Sequence, residues 1–210
     1  MRAVVKYTRR GAARYVSHLD MQRAFGRALR RAKLPVKFSE GFNPHIVMSF
    51  ASPLSVGIGT EGDYLEVRFE KDCAGEEIIN RMNAVLPKDI RILSAGRLEE
   101  GAPKLMAQNH SAEYELVFEG DMEAAAQKFL KAESFLTHDR KGKEIDIRPL
   151  VLDLAAKKNV LKARLENSSR AALNPAVLAG ALGGGAAITR TECFYLKDGR
   201  ALPMDSLERE

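Results

Sequence analysis

Apolar and polar residues alternate along this chain with a period that changes several times, and each change marks an element. Residues 2–7 (Arg-Ala-Val-Val-Lys-Tyr) read as a strand. After a loop, Met21, Ala24, Phe25, Ala28, Leu29 and Ala32 recur at helical spacing and form the apolar stripe of an amphipathic helix. Ser17 precedes it as N-cap, Asp20 completes the Ser-x-x-Asp form of a capping box, and Pro35 ends it. Gly26 sits mid-helix, where it costs about 1 kcal/mol relative to Ala, and is expected to mark a close backbone contact. The turn-rich stretch Ser39–Pro44 leads to a strand over His45–Ala51, a glycine-rich loop, and an alternating strand over Tyr64–Phe69. Asp72 is expected to cap a second helix, with Ile78, Ile79, Met82, Val85 and Leu86 on its apolar face and Pro87 as its stop. A strand over Ile90–Leu93 completes the order strand, helix, strand, strand, helix, strand, which is the ferredoxin-like unit.

Beyond a connection at 98–110 the order repeats, without sequence identity between the copies. Glu113–Phe118 is a strand, and Asp121 caps a helix carrying Ala125, Ala126, Phe129 and Leu130. Strands follow over Lys143–Leu154, interrupted at Pro149, and Lys158–Glu166. Asn174 caps a short helix with Pro175 at its first position, Gly183–Gly185 close it, and Ala187–Leu196 is the last strand. The expectation is an α+β protein of two tandem ferredoxin-like (βαββαβ) halves: a basic N-terminal domain at 1–100, a C-terminal domain at 111–198, and a tail at 199–210.

Composition narrows the function. At 45% hydrophobic residues the chain has enough apolar side chains for a core, so it is not wholly disordered. No stretch approaches the roughly 18 apolar residues of a membrane span, and the N-terminal apolar run is too short for a signal peptide. A cytoplasmic protein with no membrane partner is expected. The two cysteines, Cys73 and Cys193, are far apart and are expected to be buried and inert; with four scattered histidines they give no metal-ligand spacing, so no metal and no cofactor is expected.

Charge changes the picture more. The net charge is +5, yet residues 1–50 hold eleven Lys/Arg against only Asp20 and Glu40, a local excess of +9, while residues 51–100 carry −4. Such concentration is the electrostatic footprint of a polyanion partner; a solvated basic surface is the alternative. Arg23, Arg27, Arg30 and Arg31 share the helix face away from Met21 and Phe25. Like charges at i, i+4 repel, so folding gains nothing from this stripe, whereas guanidinium forks suit phosphates. Pairing with acids of residues 61–77 is the competing explanation. The segment Phe38–His45 adds an aromatic among turn residues, either a base-stacking platform or a loop fixing two strands. The candidate RNA-binding set is Arg23, Arg27, Arg30, Arg31, Lys37, Phe42, Asn43 and His45.

Catalytic chemistry is sparse. His18, in the first helical turn, is the one candidate general acid or base, against the commoner role of bonding a loop carbonyl. Gly57-x-Gly59-x-x-Gly62 matches a dinucleotide motif by letter but precedes a strand, so it reads as a connecting loop. Gly183–Gly185 reads as a helix C-cap, with an RNA-backbone loop as the alternative.

Several runs invite comparison with a known family: Tyr15-Val16-Ser17-His18-Leu19-Asp20-Met21, Ala28-Leu29-Arg30-Arg31-Ala32, Gly41-Phe42-Asn43-Pro44-His45, and Met48 to Gly57. With Glu144-Ile145-Asp146-Ile147-Arg148-Pro149-Leu150 and Ile188-Thr189-Arg190-Thr191-Glu192, they resemble the radical-SAM-linked protein family, bacterial proteins of unassigned activity. Ile46-Val47 departs from the Pro-Lys or Pro-Arg pattern. Members stand next to, or fused to, radical SAM proteins with a cobalamin-binding-like domain, and often neighbour a ribonuclease of the E/G type and ribosomal-protein genes. The resemblance implies an accessory role in RNA or ribosome metabolism, with RNA (tRNA or rRNA) and such a radical SAM protein as partners. The expected function is a non-catalytic RNA-binding accessory protein. A metal-independent endoribonuclease and a pure protein-interaction module are the alternatives.

Overall fold

The first helix forms where its local signals place it. The Ser17 hydroxyl accepts from the Asp20 backbone N–H at 3.2 Å and donates to the Asp20 carboxylate at 2.8 Å, so the cap and the third helical residue hold each other. Met21, Phe25, Ala28 and Leu29 are buried beneath it. Phe25 meets Tyr7 and Phe50 edge to face, with ring centroids 4.9 and 5.7 Å away.

The computed structural model describes residues 1–208. The first half runs β1 (Arg2–Arg9), a 3-10 turn (Gly11–Tyr15), α1 (His18–Arg31), β2 (Met48–Phe50), β3 (Gly59–Arg68), α2 (Gly75–Asn83) and β4 (Ile90–Leu98). The second runs α3 (Leu105–Gln108), β5 (Asn109–Val117), α4 (Glu123–Lys131), β6 (Leu136–His138), β7 (Glu144–Asp146), β8 (Val151–Lys157), β9 (Val160–Glu166), α5 (Pro175–Leu182), β10 (Ala187–Lys197) and β11 (Arg200–Pro203). The chain is thus an α+β protein with a large, mostly antiparallel sheet and five α-helices among the described residues. The sheet order is β4-β1-β3-β10-β5-β9-β8, with β2 added to β3 and β11 to β10.

One parallel contact joins the halves. Thr189 and Arg190 of β10 pair with Gly59 and Thr60 of β3. The strands approach so closely that a Cβ on Gly62 would lie 2.5 Å from the Thr191 carbonyl oxygen. Gly59 and Gly62 therefore serve strand approach, whereas Gly57, at φ +91° with open space around it, serves the turn before β3.

A buried polar hub crosses this seam. Arg190 Nη1 donates to Asp63 at 3.0 Å, and its Nε and Nη2 donate to the Tyr114 hydroxyl at 3.1 and 3.0 Å. Nη2 also reaches the Pro53 carbonyl at 3.3 Å. Burial opposes the Arg190 charge, yet Tyr114 and Asp63 hold its pKa well above the ordinary arginine value. Lys6 lies 2.7 Å from both Glu192 and Asp205. Burial works against that charge too, but the Asp205 and Glu192 carboxylates outweigh it and raise the pKa.

Several expectations are corrected. Asp72 caps no helix: α2 starts after Ala74, and Asp72 instead pairs with Arg97 at 2.8 Å. The N-cap of α4 is Met122, with Asp121 accepting from the Glu123 N–H at 2.8 Å. The strand expected over Lys143–Leu154 is broken by a 3-10 turn at Arg148–Leu150, because Pro149 has no N–H for a ladder. Within the segment expected as a tail, Arg200–Pro203 pairs with β10 and Met204 is fully buried. Cys193 is buried, and burial pushes its thiol up to about 12; Cys73 is only half-buried.

Candidate functional site

The exposed side of α1 faces a short extended segment. Pro35 turns the chain, Val36 bridges to Phe69, and Phe38 bridges to Ile46, so residues 36–38 and 46–48 run beside each other next to the helix. Between them projects the loop 39–45. It is closed by the Ser39 N–H to the His45 carbonyl at 2.8 Å, the His45 N–H to the Ser39 hydroxyl at 3.1 Å, and a 2.9 Å bond between that hydroxyl and His45 Nδ1.

A groove of about 340 Å³ separates α1 from residues 45–48. Leu19, Gly26, Ile46 and Met48 supply its apolar surface; Gln22, Arg23, Arg27, Arg30 and His45 supply its polar one. Volumes of this size lie at the small end of ligand clefts.

The arginine stripe is not neutralised by the acids of residues 61–77. Arg23 pairs with Asp20 of its own helix at 2.9 Å, both side chains more than half exposed. Hydrogen bonds from the Ser17 hydroxyl and from Arg23 hold the Asp20 carboxyl below the usual carboxylate range. Arg30 lies over the Phe38 ring, 5.7 Å from its centroid, and keeps its charge exposed. Arg27 makes no hydrogen bond and no ion pair among the described residues; its charge acts on Asp20 only at longer range. An exposed pair like Arg23–Asp20 contributes little and is easily exchanged for a phosphate.

The other candidates fall elsewhere. Arg31 donates to the Val85 carbonyl at 2.7 Å and ties α1 to the end of α2. Lys37 points to the other side of its segment, near Arg2, Arg68 and Glu70. Phe42 is fully exposed at the loop tip beside an exposed Asn43, and neither lines the groove. His18 stacks edge to face on Phe50 with centroids 5.1 Å apart; among the described residues no hydrogen bond orients its ring. Gly183 ends α5, with its N–H bonded to the Ala179 carbonyl.

Of the runs that carried the family resemblance, some residues fall in the groove and some in the hub, while Glu144–Leu150 lies in neither. Leu19, Arg30, His45 and Met48 line the groove, whereas Ser52, Pro53, Arg190 and Glu192 belong to the buried seam. Met48 and Ile46 of the groove went unrecognised in the sequence, since apolar residues in a strand carry no sign that they face a helix across a gap. Among the described residues no helix is long and apolar enough to cross a membrane, and no group of three or more His, Cys, Asp or Glu is arranged to hold a metal ion.

Fold and groove together define an α+β protein with a cationic cleft on its first helix. The sequence pattern of the family described as "uncharacterized protein conserved in bacteria (DUF2344)" matches residues 2–175. The chain belongs to that family. No curated protein gives a match to the chain.

Proposed function

We propose that this protein binds RNA through the α1 groove and acts as a non-catalytic accessory protein. The observation that carries this is the row of Arg23, Arg27 and Arg30 along one side of a groove, with Arg27 in no ion pair and, among the described residues, no carboxylate from a neighbouring element lining that groove. Three exposed guanidinium groups at helical spacing repel one another unless an anion sits between them. A polyanion with regularly spaced phosphates relieves that repulsion along the whole row. The resemblance to radical-SAM-linked proteins supports an RNA or ribosome-related setting and a radical SAM partner with a cobalamin-binding-like domain. We also read the two halves as tandem ferredoxin-like units; the strand orders β4-β1-β3-β2 and β10-β5-β9-β8 support that reading.

Fluorescence anisotropy against tRNA and ribosomal RNA fragments over a salt series tests the proposal. Wild-type protein is expected to bind at low salt, with a log–log salt slope of about −2 for three phosphates on single-stranded RNA. Replacing Arg23, Arg27 and Arg30 together by Ala should abolish that slope while the far-ultraviolet spectrum stays unchanged. A wild-type protein that binds no RNA at low salt overturns the reading.

A further inference from the structure

Gly26 lies in the floor of the groove, at a place where helix geometry has no need of glycine. It is inside α1, its φ is not in the left-handed region, and a Cβ there would meet only the Met48 Cε at 3.6 Å, an ordinary contact. Alanine would satisfy the same helix with less conformational entropy to lose. Gly26 is itself buried, with the Met48 methyl over it, so what glycine supplies is room for Met48 to lie low. The apolar surface the groove offers comes from exposed Leu19 and half-buried Met48, with Ile46 buried below. Above that floor stand Arg23, Arg27 and Arg30 on one side and His45 on the other. The Ser39 hydroxyl holds His45 by Nδ1, which leaves Nε2 available to a ligand. A phosphate clamp alone needs no apolar floor, whereas a nucleotide carries an apolar ring face beside its phosphate.

We propose that the groove holds one unpaired nucleobase of a single-stranded RNA against Leu19 and Met48, above Gly26 and Ile46, while Arg23, Arg27 and Arg30 take the flanking phosphates. The inference rests on the RNA reading above and narrows it to single strands, because a duplex keeps its bases stacked and paired away from such a slot. His45 Nε2 is placed to meet the edge of the seated base.

The test compares three labelled probes: a single strand of about ten nucleotides, within the usual site size for such proteins, the same strand annealed to its complement, and inorganic polyphosphate. Gly26→Leu fills the floor and leaves every arginine in place. It should weaken single-strand binding by about tenfold or more, the scale of one lost base contact. Duplex and polyphosphate binding should stay at wild-type strength. A folded Gly26→Leu protein that holds the single strand as tightly as wild type overturns the slot, as does a loss shared equally by polyphosphate. In either case Arg27→Ala still weakens all three probes if the RNA face is correct; wild-type binding by Arg27→Ala sinks the underlying reading instead. Should Gly26→Leu not fold, 4-thiouridine crosslinking on the wild-type protein decides. Adducts on Leu19, His45 or Met48 are expected, and adducts confined to other segments overturn the proposal.

Discussion

Of the eleven basic side chains in residues 1–50, several serve the protein itself, Arg31 on the Val85 carbonyl among them. Arg2 is buried against Glu66, Lys6 bridges Glu192 and Asp205, Arg9 donates to the Ile58 carbonyl at 2.7 Å, and Arg10 pairs with Glu61. The local excess of +9 therefore overstates the charge offered to a ligand. Position, not number, distinguishes Arg23, Arg27 and Arg30. Gly26 gives a sharp single-residue test of the same helix. Gly26→Ala should raise unfolding free energy by roughly 0.5–1 kcal/mol, since the helical interior prefers Ala and the nearest side-chain atom is 3.6 Å from the new methyl. A urea midpoint that moves up at constant m-value would bear this out; one that moves down would mean that Met48 is pinned where the methyl must go.

On the scale of one element, α1 was the most legible part of the chain. Its cap, its buried stripe and its cationic stripe all depend on neighbours within four residues, and all three stand where the spacing put them. The end effects of α2 and α4 were less legible, because Asp72 found a better partner in Arg97, 25 residues away. Within α1, Asp20 is the one acid beside the arginines; it is ionised at neutral pH as any ordinary carboxyl is, and Ser17 and Arg23 hold its pKa lower still. Asp20→Asn keeps a hydrogen-bonding side chain at the helix start, removes a negative charge and frees Arg23. RNA affinity should rise about two- to fivefold at low salt, and the gain should vanish at high salt, where screening removes the difference. An affinity that falls or does not change would place the bound phosphates away from Arg23.

At the scale of the whole molecule, the seam between the halves is the dominant feature. Asp63 and Arg190 are 127 residues apart, both almost fully buried, and each is the other's counter-charge. Removing one partner strands the other in the interior, so Arg190→Ala should cost on the order of 3–5 kcal/mol. Because the sheet is continuous through β3 and β10, calorimetry should show one transition in the wild type and one earlier transition in the variant. Two resolved transitions in the wild type would contradict the shared seam. Sequence by itself determined the order of helices and strands in the first half, the amphipathic first helix and the exposure of its arginines, because those follow from local periodicity and capping. Only the tertiary structure decided that the halves share one sheet, that Ser52, Pro53 and Arg190 meet inside it, and that Ile46 and Met48 close a groove against Gly26. Those contacts join residues far apart in the chain, and which of many apolar or charged residues meet across such distances is settled by packing, not by spacing.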